Sequence, residues 1–154
     1  DNSIYLTNRN RQNTGEGIDI LRSIENVCGG FGNDIIKGDS VNNILLGEED
    51  NDKLFGRGGN DTLDGGDGND YLNGGLGKDQ LTGGDGGDKF CISTGAGKDV
   101  IKDYGNGNDR IKLLGELEEN DLTIRQVGDN VKIKCDGDLI AILQDTLIAD
   151  LTFI

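Results

Sequence analysis

A nine-residue period constrains this chain more than any other feature. Laid out in nines from Gly29, the sequence reads GGFGNDIIK (29–37), GDSVNNILL (38–46), GEEDNDKLF (47–55), GRGGNDTLD (56–64), GGDGNDYLN (65–73), GGLGKDQLT (74–82) and GGDGGDKFC (83–91). Position 1 is Gly in all seven units, and position 6 is Asp in six of them and Asn43 in the second. Position 8 is always apolar: Ile36, Leu45, Leu54, Leu63, Leu72, Leu81 and Phe90. After short insertions the register resumes. TGAGKDVIK (94–102) places Asp99 and Ile101, and YGNGNDRIK (104–112) places Asp109 and Ile111, at the sixth and eighth positions. Nine units are counted in all. Such a period marks a solenoid, in which no unit can bury its apolar residue alone and each must stack on its neighbours.

Composition says why an ordinary fold is excluded. Only 33% of the 154 residues are hydrophobic, Trp, Met and Pro are absent, and 27 are Gly. Glycine carries the largest backbone entropy cost on folding. With 29 acidic against 15 basic residues the formal charge is −14, and such a chain repels itself. Composition alone therefore allows a disordered acidic linker as readily as a fold whose missing core is replaced by cations. The phase of Gly, Asp and an aliphatic held over more than 60 residues removes the linker.

A pI near 4.2 argues against nucleic acid and anionic membrane as partners. No apolar run approaches the roughly 18 residues of a membrane span, so no stable membrane insertion is expected. Residues 1 to 20 lack the apolar core of a signal peptide. Without an initiator Met the chain is expected to be a processed product or an excised fragment. Cys28, Cys91 and Cys135 fit no zinc spacing, and there is no His. Buried free thiols are expected, with one disulfide open as an alternative.

Each unit predicts a six-residue turn followed by a three-residue strand. Glycines at positions 2 and 4 allow positive φ and close backbone approach. The turn then aims carbonyl oxygens and the position-6 carboxylate at one spot, a donor set suited to Ca²⁺. One inward side chain per nine residues is a thin core against an ordering cost of roughly 1–2 kcal/mol per residue. Metal binding then has to supply folding free energy.

The repeat resembles the RTX (haemolysin-type calcium-binding) family over residues 29–112, and three consecutive units carry the full GGxGxD pattern. The resemblance implies an all-β fold, a right-handed parallel β-roll with two units per turn, and an ion between each loop and the loop two units later. It further implies that the earlier loop gives its position-6 side chain and the carbonyls of positions 2 and 4. The later loop gives its Asp and the carbonyls of positions 1 and 3. One side then pairs Asp34 with Asp52, Asp52 with Asp70, Asp70 with Asp88 and Asp88 with Asp109. The other pairs Asn43 with Asp61, Asp61 with Asp79 and Asp79 with Asp99.

The implied carbonyl ligands are Gly30 and Gly32, then Gly47 and Glu49, then Gly56, Gly58 and Gly59. They continue through Gly65, Gly66, Asp67 and Gly68, then Gly74, Gly75, Leu76 and Gly77, then Gly83, Gly84, Asp85 and Gly86, and end at Ala96. The best sites are expected at Asp70/Asp88, Asp61/Asp79 and Asp52/Asp70. The Asn43/Asp61 site is expected to be weakest, because Asp39 and Val41 replace glycines and an amide replaces the carboxylate. Glu48 and Asp50 depart likewise in the third unit, although Asp tolerates positive φ better than most residues. About five to seven ions are expected, and about six would bring −14 to roughly −2.

The expected organisation is an N-terminal cap (1–28), the β-roll (29–112) and a C-terminal antiparallel cap (113–154). In the first, Ile18, Ile20, Leu21, Ile24 and Val27 form an alternating-to-helical apolar run that covers an open end, as solenoids require. In the last, LTIRQV (122–127), VKIKC (131–135) and LIAIL (139–143) read as strands joined by Gly/Asp turns. By resemblance the C-terminus also carries a type I secretion signal.

Scattered GxGxxG matches are by-products of the repeat. Asn60-Asp61-Thr62 matches a glycosylation acceptor but falls in a metal loop, Gly95-Ala96-Gly97-Lys98 lacks the phosphate-loop spacing, and no EF-hand run exists. No nucleophile with a base is in view, so no enzyme activity is expected. The expected function is a calcium-binding module, bacterial, secreted and extracellular, that folds on Ca²⁺ after export, with the type I secretion machinery as a possible partner and no protein partner identified. Two alternatives stand beside it: the C-terminal module of a larger secreted enzyme or toxin, and a calcium-dependent adhesin or surface-layer segment.

Overall fold

The structure is a computed structural model that describes residues 3–6, 18–21, 25–95 and 97–154. Ile24 and Ala96, which the sequence places in the N-terminal cap and in a metal loop, lie outside the described residues.

Strand is the dominant element among the described residues. The strands are β1 (Ser3–Leu6), β2 (Ile18–Leu21), β3 (Asn26–Gly30), β4 (Ile35–Lys37), β5 (Ile44–Glu49), β6 (Lys53–Gly58), β7 (Thr62–Gly68) and β8 (Tyr71–Leu76). Then follow β9 (Gln80–Gly86), β10 (Lys89–Ile92), β11 (Asp99–Ile101), β12 (Arg110–Leu113), β13 (Leu122–Val127), β14 (Asn130–Cys135) and β15 (Asp138–Leu143). Strands β3 to β12 alternate between two sheets, with β1 and β2 joining the first and β13 to β15 the second. The first has the order β12-β10-β8-β6-β4-β1-β2, and the second β13-β14-β15-β11-β9-β7-β5-β3. Two units thus make one coil, and the repeat builds a parallel β-solenoid of about five turns. The fold class is as the sequence predicts.

Register explains the core. In the second sheet Val27, Leu45, Leu63 and Leu81 lie opposite one another, and in the first Leu54, Leu72 and Phe90 do so. Every position-8 side chain from Ile36 to Ile111 is fully buried between the sheets. A slip of one residue would turn this row to solvent, which pins the pairing. The rings of Phe90 and Tyr104, both in the core, sit 6.1 Å apart.

The C-terminal segment turns the parallel stack into an antiparallel one. β13, β14 and β15 pair antiparallel, and β15 adds parallel to β11 through Asp99↔Ala141 and Ile101↔Leu143. Val131, Ile133 and Cys135 face the core. Phe153 bridges to Ile111, the last inward residue of the array.

Within the N-terminal apolar run, Ile18–Leu21 is a strand parallel to β1. One expectation, that the thiols are buried, is corrected. Cys28 is exposed at the outer face of β3, where an outward position follows the inward Val27, while Cys91 and Cys135 are buried. All three are free thiols.

Candidate metal centre

The position-6 residues stack in two columns on opposite edges of the solenoid. Asp34, Asn43, Asp52, Asp61, Asp70, Asp79, Asp88, Asp99 and Asp109 are all buried, at 0 to 6% exposure. Each backbone N–H donates to the side chain one coil further on. Asp34 reaches Asp52 Oδ1 at 2.6 Å, Asp52 reaches Asp70 at 2.7 Å, Asp70 reaches Asp88 at 2.8 Å and Asp88 reaches Asp109 at 2.9 Å. On the other edge Asn43 donates to Asp61 at 2.8 Å, Asp61 to Asp79 at 2.8 Å and Asp79 to Asp99 at 3.1 Å. The seven residue pairs named from the sequence are the seven joined in the structure.

In the inner members of these columns one carboxylate oxygen is thereby satisfied and the other is not, whereas Asp109 at the end of its column also accepts Gly105 N–H at 2.8 Å on Oδ2. Oδ2 of Asp52, Asp61, Asp70, Asp79 and Asp88 is buried with no hydrogen-bond donor. A buried carboxylate oxygen left bare costs free energy unless a cation or a proton meets it. Desolvation accordingly pushes these carboxyls up: Asp52, Asp61, Asp88 and Asp99 to about 7 and Asp70 to about 6, with Asp79 raised as well. Backbone N–H bonds pull the other way without cancelling the burial.

The backbone completes the set. At Gly47 a Cβ would overlap both Asp52 Oδ2 and the Gly65 carbonyl of the next coil, and Gly56 stands in the same relation to Asp61 and Gly74. At positions 2 and 4, Gly66 and Gly68 lie directly over the carbonyls of Glu48 and Asp50, with Gly68 at φ +145°. No side chain fits there. Each loop therefore shows oxygen donors only, several carbonyls and one underused carboxylate, which is the chemistry of a hard cation and fits Ca²⁺. No three acidic or thiol side chains converge among the described residues. An ion held here would draw most of its oxygens from the main chain. Glu49, Asp67, Leu76 and Asp85, named for their carbonyls, carry exposed side chains on the loop rims.

The second loop does not fit. The third unit keeps the glycine-like backbone despite its substitutions, with Glu48 at φ +84° and Asp50 at φ +76°, the latter accepting Gly32 N–H at 3.1 Å. Asp39 and Val41 do not take positive φ. Instead Asn43 Oδ1 accepts Asp39 N–H at 2.9 Å, and Asp39 Oδ1 accepts Val41 N–H at 2.9 Å. The loop closes on itself. Beside it Arg57, held at φ +75°, donates from its guanidinium to the Gly38 carbonyl at 3.0 Å.

Three features were missed from the sequence. Arg57 stands at a glycine position and its sequence context assigns it no role. Asp103, an insertion between units, accepts Gly83 N–H at 2.9 Å and Gly84 N–H at 2.8 Å. The position-5 amides form a ladder outside the metal loops, with Asn69 donating to Asn51 and Asn51 to Asn33 at 3.0 Å each. Recurrence of Asn at that position was the signal available.

A family model for the RTX calcium-binding nonapeptide repeat (4 copies) matches the chain over residues 29–63 and 55–90. Comparison with curated protein sequences returns no match.

Proposed function

We propose, from the premise that residues 29–90 are RTX calcium-binding nonapeptide repeats, that the chain is a calcium-triggered folding module of a larger secreted bacterial protein. RTX repeats imply calcium binding. The further reading rests on one observation, the row of buried carboxylate oxygens without donors at Asp52, Asp61, Asp70, Asp79 and Asp88.

The chain's own residues account for the switch. With the position-6 carboxylates ionised, closing the coils buries like charges one coil apart, and Asp70 raises Asp52 as Asp109 raises Asp88. The single apolar row is too thin to offset that. Bound Ca²⁺ supplies the positive charge that lets neighbouring loops close. Because each inner carboxylate belongs to two pairs, closing one gap positions a ligand of the next, and folding should be steep in calcium. Extracellular modules of this class hold Ca²⁺ at about 10⁻⁴–10⁻³ M, so the module would stay open in a low-calcium cytosol and close outside. It has no catalytic role in this reading, and the residues preceding Asp1 in the gene would show what it serves.

A calcium titration followed by circular dichroism tests the switch. A cooperative rise of β signal between micromolar and millimolar calcium is expected. Equal β content in excess chelator would sink the proposal.

A further inference from the structure

Between β3 and β12 the strands of the two sheets differ in charge. The strands β4, β6, β8, β10 and β12 hold Lys37, Lys53, Arg57, Lys89, Arg110 and Lys112 and not one Asp or Glu. The strands β3, β5, β7, β9 and β11 hold six acidic residues and no Lys or Arg. Of those six, Asp99 is inward in a metal loop. Glu48, Glu49, Asp67 and Asp85 are exposed and Asp64 is half-buried.

This arrangement costs the fold something. Lys89 lies directly across from Arg110, and Glu49, Asp67 and Asp85 are in direct register. Like charges opposite one another on neighbouring strands are destabilising. Lys53, Lys89 and Arg110 make no ion pair among the described residues, although the chain has 29 acids. Two residues on the basic face are engaged with rings, Lys37 over Phe55 and Lys112 over Tyr71 at 5.4 and 5.3 Å. Inside the molecule the acidic face is met at Asp64, by the charge of Lys102, and at Asp85, by the Asn106 amide at 3.1 Å; a local rule broken on both faces and so little offset points outside it.

We propose that the basic face of one copy docks on the acidic face of a second copy. The acidic row Glu49, Asp67 and Asp85 steps once per coil at the strand spacing of about 4.8 Å, and the basic row Lys53, Lys89 and Arg110 lies on the same spacing with Tyr71 filling one step, so their pitches match. A concavity lined by Glu48, Glu49, Asp64 and Asp67 offers a receptor for an ammonium group. Basic against basic is repulsive, so the contact is heterologous and repeats as an open stack rather than closing as a two-fold dimer. The stack ends sideways where β13 to β15 begin, since these carry Arg125, Lys132 and Lys134 on the acidic sheet. Assembly follows calcium loading, because at −14 the copies repel one another.

Sedimentation velocity of the full chain in saturating calcium tests this, with circular dichroism of the same samples reporting folding separately. The wild type should associate at low salt and revert to monomer at about 0.5 M NaCl, where the screening length is only a few ångströms. A basic-face variant, Lys53→Glu/Lys89→Glu/Arg110→Glu, should stay monomeric, and so should an acidic-face variant, Glu48→Lys/Asp64→Lys. Mixed one to one, the two should associate again, since each now presents the charge the other lacks. A folded wild type that stays monomeric overturns the proposal, as does a mixture that stays monomeric. Binding of a soluble polyanion by the wild type, lost in the basic-face variant and without self-association, would give the face to a foreign polymer instead and equally overturn it.

Discussion

Asp70 shows how one side chain can oppose and support the fold under different conditions. Its Oδ1 accepts Asp52 N–H at 2.7 Å, while its Oδ2 is buried with no donor. Replacing it with Asn keeps the accepting oxygen and removes the charge whose burial raises the carboxyl to about 6. Asp70→Asn should therefore make the metal-free chain easier to fold at pH 7. The same change deprives two loop pairs of an anionic oxygen, so it should raise the calcium midpoint by about tenfold, the equivalent of roughly 1.4 kcal/mol. A circular-dichroism titration with and without chelator reads both arms. A variant that merely damaged packing would lose in both. Such position-6 residues were legible from sequence because their chemistry and their period coincide. Arg57 was not, because a long cation at a glycine position has no meaning until the loop beside it is seen to close on itself.

Elements divide in the same way. The strands of the array follow from an apolar residue that must face inward once per unit, and the cap strands from alternation in Val131, Ile133 and Cys135 against Lys132 and Lys134. What sequence could not supply was the partner of each strand outside the repeat. That β15 extends the acidic sheet beside β11, and that Phe153 reaches Ile111, depends on long-range packing with no periodic signal. The second loop marks the limit within the repeat. Weakness at Asn43 was legible; the changed backbone path and the hydrogen bonds that seal it were not. Native mass spectrometry of the calcium-loaded chain should accordingly find no additional ion after Asn43→Asp alone, since Asp39 and Val41 keep the loop out of its carbonyl-presenting form. Asn43→Asp with Asp39→Gly and Val41→Gly should bind one ion more than the wild type. An added ion in the single variant would show that charge, and not backbone conformation, limits the site.

At the scale of the whole molecule, proton and calcium compete for one set of oxygens. The buried carboxyls of Asp52, Asp61, Asp88 and Asp99 sit at about 7 and that of Asp70 at about 6, against 3.8 for the unperturbed group. Between these limits the folded chain binds more protons than the unfolded one, so the stability of the metal-free fold falls as pH rises. The loss begins as the unfolded groups ionise near pH 4 and is complete above about pH 7, where folding must bury the full set of charges. Acid should then stand in for calcium. In excess chelator the chain is expected to gain β signal as pH is lowered from 7.5 towards 4.5, helped by the shrinking net charge. With calcium present the order reverses, because protons on the same oxygens displace the ion, and the calcium midpoint should climb as pH falls below 7. A pH series of chelated and calcium-loaded samples, followed by circular dichroism, measures both slopes at once. Were the metal-free chain to stay unfolded at pH 4.5, neutralising the carboxylates would be insufficient, and the ion's work would have to lie in drawing the main-chain carbonyls of successive loops together.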